Sequence, residues 1–371
     1  MLTGSMFSAA DAVAQNYIAF SSASDFTLQA NQKGWDGTLY YSTDLETWTE
    51  WDGSQLNSAD GKLYLRGTGN SKITGELANS WKLNDAEGIA CTGNIENLLD
   101  HEKVANGEHP TMASGCYTYL FYNCKGLTTA PELPATTLKD NCYGGMFYNC
   151  TSLTTAPELP ATTLGWWSYA QMFYNCTSLT TAPELPATTL AAYCYQYMFK
   201  GCTSLTTPPV LPSTTLKACC YQYMFRGCTS LKVSDEKTSE YGKPWRIPSV
   251  GSISAEDTNW NTDMLANTGG TFTGNPSINT TYYLYGTETG IAAAEAQPMA
   301  LQLYTNPASS HVSVSGLSAN GGTVQIFDVA GRLVLSVESN GEEAQTIDIS
   351  GLAPGLHYVR SGSQTAKLMV K

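Results

Sequence analysis

Basic side chains are scarce in this 371-residue chain, which contains 19 lysines and arginines against 32 aspartates and glutamates. The formal net charge is −13 at pH 7. Nucleic-acid binding needs clustered lysine and arginine to neutralise phosphates, so the composition argues against a nucleic-acid partner. It argues equally against an electrostatic hold on anionic lipid, and the sequence has no run of about 18 apolar residues that could span a membrane.

Residues that commonly carry catalysis or bind metals are also few. The sequence has four histidines, no glycine-rich phosphate loop, no His-Glu-x-x-His motif and no aspartate-rich calcium loop. No Cys-x-x-Cys pair occurs among the 11 cysteines, which argues against a zinc site. We therefore expect no catalytic residues, no metal and no cofactor, in a protein that is not an enzyme.

A 26-residue unit recurs five times in the middle of the chain, and four residue types keep its spacing without a break. The four columns are a tyrosine (Tyr117, Tyr143, Tyr169, Tyr195, Tyr221), a phenylalanine (Phe121, Phe147, Phe173, Phe199, Phe225), a cysteine (Cys124, Cys150, Cys176, Cys202, Cys228) and a leucine (Leu127, Leu153, Leu179, Leu205, Leu231). Such spacing is typical of a solenoid, whose coils bury their apolar faces only against one another. We predict a leucine-rich-repeat-like solenoid with copies stacked at about 4.8 Å.

The second repeat illustrates the structure expected within one coil. Met146–Cys150 is predicted to form a short helical or 3₁₀ turn, and Leu153–Ala156 is predicted to form the strand. Pro157 and Pro160 follow the strand and require extended backbone, so no helix can form there. Met264–Gly270 parallels the Met-Phe-Tyr-Asn-Cys-Thr-Ser run, which predicts an atypical last repeat that closes the solenoid.

Nine of the cysteines fall in two columns of the repeat, one after each phenylalanine and one eight residues earlier. A disulfide within each repeat would pair these two columns, but Ser168 stands where Cys176 would need its partner. The total of 11 is also odd. We therefore favour two ladders of buried free thiols over the alternative of disulfides.

Short aromatic and β-branched runs separated by glycine, asparagine and aspartate flank the repeats on both sides. They predict a mainly β protein, with an N-terminal β-sandwich-like domain and a C-terminal immunoglobulin-like sandwich. The predicted organisation is a signal remnant or cloning-derived segment at 1–14, the N-terminal β domain at 15–108, the solenoid at 109–231, a degenerate capping repeat with a closing strand pair at 232–289, a linker at 290–302 and the C-terminal domain at 303–371.

Two exposed surfaces of the repeats are candidate binding sites. Residues directly after the buried phenylalanines should point outward, and a stripe of aromatic and basic side chains can stack on glycans or anchor a protein. They are Tyr122, Tyr148, Tyr174, Lys200 and Arg226. The second surface consists of paired threonines, which β propensity also explains. Its candidate residues are Thr154, Thr155, Thr180 and Thr181.

The segments 150–164 and 176–190 share the sequence Cys-Thr-Ser-Leu-Thr-Thr-Ala-Pro-Glu-Leu-Pro-Ala-Thr-Thr-Leu. This sequence resembles the repeats of BspA-like leucine-rich-repeat surface proteins of Bacteroidetes. Tyr41–Asp44 and Leu63–Gly67 are similar to phrases in the N-terminal β domain that precedes such repeats. The resemblance covers about residues 17 to 285, and it implies adhesion to host or neighbouring-cell glycoproteins.

The C-terminal residues resemble the sorting domain of type IX secretion cargo. Four segments match the motifs of that domain, although Thr305 replaces the usual proline. The matching positions are Asn306, Pro307 and Ala308 in the first motif, Asp328, Gly331 and Arg332 in the second, Gly355 and Tyr358 in the third, and Lys367 in the last. This resemblance implies recognition by the type IX secretion machinery and a protein that is secreted or held at the outer cell surface.

These patterns together predict a non-enzymatic binding protein, an adhesin that uses the repeats to bind an extracellular protein or glycan. One alternative is a structural surface spacer without a specific ligand. The other is a carbohydrate-binding accessory protein that acts through the N-terminal β domain, where Trp35, Trp48 and Trp51 could form a sugar platform. Core packing is the plainer explanation for these three tryptophans.

Overall fold

The computed structural model describes most of the chain, in two compact units, Met1–Glu288 and Thr289–Lys371. The described residues are 15–84, 88–213, 216–247, 259–278, 280–286, 302–304, 310–315, 323–328, 332–338, 344–361 and 364–370. Four sequence predictions fall outside them, namely the segment 1–14, the linker at 290–302 except its last residue, the motif Asn306-Pro307-Ala308, and Gly331. No helix in the described part of the chain is long and apolar enough to cross a membrane.

The mainly β character predicted for the protein is confirmed, and the N-terminal region contains two sheets. Its strands are β1 (Ile18–Ser21), β2 (Thr27–Ala30), β3 (Thr38–Ser42), β4 (Thr49–Trp51), β5 (Leu56–Asn57), β6 (Lys62–Thr68), β7 (Trp81–Asn84) and β8 (Ile89–Thr92), with a 3₁₀ helix at Leu77–Asn79 and helix α1 at Asn97–Ala105. The order β4-β3-β6-β1-β8 is antiparallel, and β2 pairs with both β5 and β7. Leu63 and Leu65 of β6 are fully buried, as alternation along a half-buried strand requires.

The first repeat continues directly from this N-terminal region. Strand β9 (Leu127–Thr129) pairs in parallel with β8 and extends the first sheet to six strands. The rings of Phe20 and Trp81 meet Phe121 edge-on, at centroid distances of 6.1 and 6.2 Å. One hydrophobic core therefore runs from the N-terminal sheets through the repeats.

Successive repeats stack in register, and the phenylalanine and tyrosine columns are buried at their centre. Neighbouring phenylalanine rings lie nearly parallel, with centroids 5.6–5.7 Å apart. The tyrosine rings stack at 5.6–5.9 Å. Both ring spacings are wider than the 4.8 Å predicted for stacked copies.

The turn segment of each repeat reverses direction through a left-handed residue at every fourth position. In the second repeat these residues are Asn141, Gly145 and Asn149, with φ of 57°, 59° and 60°. Backbone N–H groups between the reversals donate to the next repeat, as Phe121 N does to Met146 O at 2.9 Å. The expected helical or 3₁₀ turn is therefore a series of tight turns that carries the hydrogen bonds between repeats.

The prediction of a strand at Leu153–Ala156 is wrong, because the structure has no strand there. Prolines Pro157 and Pro160 come directly after it and have no N–H to donate, so a ladder of strand hydrogen bonds cannot extend through this segment. In the described repeats, the leucine segment forms a strand at β9 in the first repeat, which has β8 beside it, and at Val233–Ser234 in the fifth. Elsewhere, single bridges join neighbouring repeats, as between Thr181 and Thr207.

The cysteines are buried free thiols, as the serine at position 168 indicates. In the column after phenylalanine, the thiols of the second to fifth repeats each donate to a phenylalanine carbonyl of the preceding repeat, and Cys124 of the first repeat donates to Trp81 O. Cys150 Sγ lies 3.1 Å from Phe121 O, and Cys202 Sγ lies 3.0 Å from Phe173 O. The thiols therefore combine the small volume of an apolar residue with a weak hydrogen bond to the neighbouring repeat.

A degenerate sixth repeat covers the C-terminal end of the stack. Phe225 N donates to Met264 O at 3.0 Å, and Trp245 closes the phenylalanine column edge-on at 5.9 Å from Phe225. The prediction of a closing strand pair, placed at 271–285, is wrong, because the described residues of that range contribute one strand. This strand pairs with two strands that precede the sixth repeat, in the order β10 (Val233–Ser234), β12 (Thr281–Leu284), β11 (Lys243–Arg246).

The C-terminal unit contains two antiparallel sheets around a small core of its own. Its strands are β13 (Gln302–Tyr304), β14 (His311–Ser315), β15 (Thr323–Asp328), β16 (Leu333–Glu338), β17 (Ala344–Asp348), β18 (Gly355–Ser361) and β19 (Gln364–Val370). One sheet has the order β13-β14-β17, and the other has the order β16-β15-β18-β19. Val312, Ile326 and Val359 are fully buried and alternate with less buried positions, as expected for strands that turn one face toward a core.

Candidate binding surface

The structure brings Tyr122, Tyr148 and Tyr174 together in one stacked row on the surface of the repeats. The Tyr122 and Tyr148 centroids are 5.1 Å apart, and those of Tyr148 and Tyr174 are 4.4 Å apart with an interplanar angle of 6°. Each tyrosine follows a fully buried phenylalanine, so its ring lies outside the core and is half-buried. The predicted outward orientation is confirmed.

Three further tyrosines extend this row, and the sequence analysis missed them. Tyr119 meets Tyr122 edge-on at 5.9 Å, Tyr197 lies 6.5 Å from Tyr174, and Tyr223 stacks on Tyr197 at 4.7 Å. All three occupy the left-handed position two residues before a phenylalanine. The sequence signal is partial, because the same position holds glycine and glutamine in the second and third repeats. We refer to these six residues, Tyr119, Tyr122, Tyr148, Tyr174, Tyr197 and Tyr223, as the tyrosine stripe.

The stacking decides which chemical groups the tyrosine stripe presents to solvent. Tyr148 lies between the rings of Tyr122 and Tyr174, so its faces are largely covered and its ring edge is the part that a partner can contact. Burial and the neighbouring Tyr174 raise the pKa of the Tyr148 phenol to about 12. The phenol is therefore protonated at neutral pH and can both donate and accept a hydrogen bond.

Two cations lie over the far end of the tyrosine stripe, in a protein that is acidic overall. Lys200 Nζ lies 5.0 Å from the Tyr174 centroid and 5.2 Å from the Tyr197 centroid. Arg226 lies 5.4 Å from the Tyr223 centroid and forms an ion pair with Asp263 at 2.8 Å. The cation–π contacts hold both basic groups against the aromatic row, where they can meet an acidic or hydroxyl-rich partner.

The threonine surface is separate from the tyrosine stripe. The four candidate threonines are exposed, and no hydrogen bond joins them to the stripe in the described part of the chain. Their backbone connects neighbouring repeats, since Thr206 N donates to Thr180 O at 2.9 Å. The structure therefore shows two different exposed surfaces and does not combine them into one site.

A cleft of about 390 Å³ lies where the first repeat meets strand β7, at the near end of the tyrosine stripe. Its lining is rich in amide side chains, which both donate and accept hydrogen bonds. The lining residues are Gln29, Asn31, Lys82, Leu83, Asn84, Tyr122 and Asn123. Tyr122 therefore belongs both to the stripe and to the wall of this cleft.

The three N-terminal tryptophans do not form an open platform. Trp35 and Trp51 are 4% and 1% exposed and stack on each other at 5.0 Å. Arg66 covers Trp48, with its guanidinium carbon 4.0 Å from the ring centroid. Core packing is confirmed for Trp35 and Trp51, and this removes the main support for a sugar platform in that region.

In the C-terminal unit, Asp328 and Arg332 close the turn between β15 and β16. Asp328 Oδ1 accepts a hydrogen bond from Arg332 N at 2.9 Å, and Oδ2 accepts from Arg332 Nε at 2.7 Å. Gly355 begins β18 with a φ of 133°, and Tyr358 of that strand lies opposite Lys367 of β19. The described motif residues therefore lie along one sheet and its connecting turn.

Comparison with known proteins decides what this C-terminal unit is. Residues 302–371 match the family model of the secretion system C-terminal sorting domain. The protein is therefore a secreted or outer-cell-surface protein whose sorting domain is recognised by the type IX secretion machinery. Neither a curated protein nor a solved structure matches the chain.

Proposed function

We propose that this protein is a non-enzymatic adhesin, which uses its repeats to bind host or bacterial glycoproteins outside the cell. The tyrosine stripe is the observation that carries the proposal. Six tyrosines on one surface supply large contact area at low conformational cost, and tyrosine is enriched where proteins bind one another. A row of phenol edges and hydroxyls suits a partner that offers both apolar area and hydroxyl groups.

The repeats, in this proposal, form a leucine-rich-repeat-like solenoid of the BspA-like type. The stacked phenylalanine columns and the hydrogen bonds between equivalent turn segments support this interpretation. A stack of coils presents a long, nearly uncharged surface, on which several copies of one side chain can contact an extended ligand. The two flanking regions act as β-sandwich domains, and the C-terminal one is immunoglobulin-like.

A structural spacer is the second candidate, favoured by the continuous core from the N-terminal sheets to the sixth repeat. Such a core makes a rigid rod-like element even without a ligand. A spacer without a ligand does not need a row of aromatic side chains on its surface. Half-buried rings expose apolar area to water, and such patches commonly mark binding sites. The tyrosine stripe therefore favours the adhesin.

One adhesion experiment distinguishes an adhesin from a structural spacer. Beads coated with the whole chain are allowed to settle on wells coated with mucin, fibronectin or collagen, beside beads coated with an unrelated acidic protein. An adhesin retains its beads on at least one surface, with saturation by soluble protein. Retention equal to that of the acidic control on every surface would refute the proposal and leave the spacer.

A further inference from the structure

A pair of exposed tryptophans lies on the third repeat, outside both the hydrophobic core and the tyrosine stripe. Trp166 and Trp167 are 55% and 40% exposed, whereas the side chains of Trp35, Trp51 and Trp81 are buried. Exposed indole rings add apolar area to the surface without stabilising a core. Packing of the core therefore does not explain why Trp166 and Trp167 are both exposed, side by side.

Comparison among the repeats shows that the stack does not need tryptophan at these positions. The equivalent residues are Asp140-Asn141 in the second repeat, Ala192-Tyr193 in the fourth and Ala218-Cys219 in the fifth. Trp167 adopts a left-handed φ of 55°, as the equivalent Asn141, Tyr193 and Cys219 do, so the backbone at this position accepts several side chains. The third repeat thus has two tryptophans at positions where the other repeats stack with smaller side chains.

The tryptophans and a tyrosine of the next repeat form a stepped aromatic surface. Trp167 stacks on Tyr193 with centroids 4.8 Å apart, and Trp166 stands nearly perpendicular to Trp167 at 5.9 Å and 74°. Trp166 N donates to Asp140 Oδ1 at 2.8 Å, which places an exposed carboxylate beside the rings. We call Trp166, Trp167 and Tyr193 the tryptophan platform.

We propose that the tryptophan platform is a carbohydrate-binding site that takes a pyranose ring of an extracellular glycan. The C–H face of a pyranose carries partial positive charge and matches the negative face of an indole ring. The Asp140 carboxylate can accept hydrogen bonds from sugar hydroxyls, and the indole N–H groups of the two exposed tryptophans can donate to them. This site adds to the proposed binding function and depends on residues that the tyrosine stripe does not use.

Other ligand classes fit the platform less well. Aromatic platforms also stack nucleic-acid bases, but those sites lie in basic grooves, and here Asp140 lies beside the rings in a chain of net charge −13. A proline-rich peptide docks in grooves lined by aromatic rings. Trp167 and Tyr193 are stacked face to face and leave no such slot between them. A neutral polyol with one apolar face is the ligand that the geometry favours.

The test uses the whole chain, with tryptophan fluorescence and calorimetry as readouts. The ligands are cellohexaose, chitohexaose, mannohexaose, xylohexaose and O-glycans released from mucin, beside deglycosylated mucin. The variant Trp166→Ala/Trp167→Asn introduces residues that other repeats already accept at these positions. Trp167→Tyr, which reproduces the residue of the fourth repeat, is the conservative variant. Circular dichroism checks that every variant retains the fold.

We expect at least one free glycan to bind and to change the fluorescence of the wild-type protein. Binding should weaken about tenfold or more in Trp166→Ala/Trp167→Asn and only a few-fold in Trp167→Tyr. A Tyr148→Ala/Tyr174→Ala variant should bind the glycan normally, which separates this site from the tyrosine stripe. Failure of every free glycan to bind, binding that survives loss of both tryptophans, or binding of deglycosylated mucin alone would overturn the proposal.

Discussion

The hydroxyl of Tyr119 donates a hydrogen bond of 3.0 Å to Oε1 of Gln171, although the two residues belong to the first and third repeats. The ring crosses the second repeat directly over Gly145, where a Cβ atom would lie 2.1 Å from Tyr119 Cε1. The glycine therefore leaves the space that the ring occupies, and it also adopts its φ of 59° without the strain that a side chain adds. This contact ties three consecutive repeats together at the surface.

Gly145→Ala should destabilise the repeats more than an alanine at a comparable glycine. Gly227 has a φ of 77°, but the nearest atom to its Cβ would be 3.8 Å away. We expect Gly227→Ala to cost about 1 kcal/mol for the left-handed backbone, and Gly145→Ala to cost about 1–3 kcal/mol more for the displaced ring. Urea unfolding followed by tryptophan fluorescence measures both. Equal losses would show that Tyr119 moves aside without cost.

The buried thiols should be unreactive in the native protein. Burial raises the pKa of Cys124 and of Cys228 to about 12, so the thiolate that attacks an alkylating reagent is almost absent at pH 8. Iodoacetamide at pH 8 should modify no cysteine of the column that follows phenylalanine, whereas all 11 should react in guanidinium chloride. Mass spectrometry counts the modified residues. Rapid modification of Cys150 or Cys176 in the folded state would contradict the ladder of protected thiols.

Much of the repeat core could be predicted from the sequence, because the columns of tyrosine, phenylalanine, cysteine and leucine never leave register. The backbone conformation within each repeat could not be predicted from the sequence. The left-handed positions hold Tyr119, Trp167, Gln171 and Cys219 as well as glycine and asparagine, so residue type does not reveal them. Hydrogen bonding to the neighbouring repeat fixes this conformation, and such bonding is not visible in one repeat read alone.

The candidate surface was predictable only where one column repeats. Tyr122, Tyr148 and Tyr174 follow phenylalanine in consecutive repeats and were found for that reason. Tyr197 and Tyr223 join them through the turn geometry. Trp166 and Trp167 occur in a single repeat, so a search for periodic columns passes over them.

Glu96 gives the stability of the first unit a specific dependence on pH. Its side chain is buried, and burial raises the pKa of the carboxyl, which the hydrogen bond from His109 Nδ1 to Oε2 at 2.8 Å partly opposes. Below the carboxyl pKa of the unfolded chain, about 4.3, both states are protonated and the burial carries no ionisation penalty. As pH rises, the unfolded state ionises first, so stability falls.

Glu96→Gln should therefore gain stability relative to the wild type as pH rises from 4 to 7. The free energy of unfolding is measured at each pH, with Glu102→Gln, an exposed position of α1, as the control. A Glu96→Gln difference that stays constant across this range, or that moves in favour of the wild type, would contradict a raised carboxyl pKa.

Removal of residues 302–371 should prevent the protein from reaching its final location. The sorting domain is what the type IX machinery recognises, and it has a hydrophobic core separate from that of the repeats. In cells with that machinery, the shortened chain should stay inside, whereas the whole chain appears in the medium or at the surface. Immunoblots of cell fractions distinguish these results. Normal export of the shortened chain would show that another segment is sufficient.

The most direct test of the account is equilibrium binding of the whole chain to immobilised mucin, fibronectin and collagen, before and after Tyr148→Ala/Tyr174→Ala. Both rings are half-buried on the surface, so their removal leaves the phenylalanine column intact, and circular dichroism verifies this. We predict saturable binding to at least one of these proteins, weakened about tenfold or more in the variant, as expected for the loss of two aromatic anchors. Saturable binding with the same affinity in both proteins would contradict a role for the tyrosine stripe.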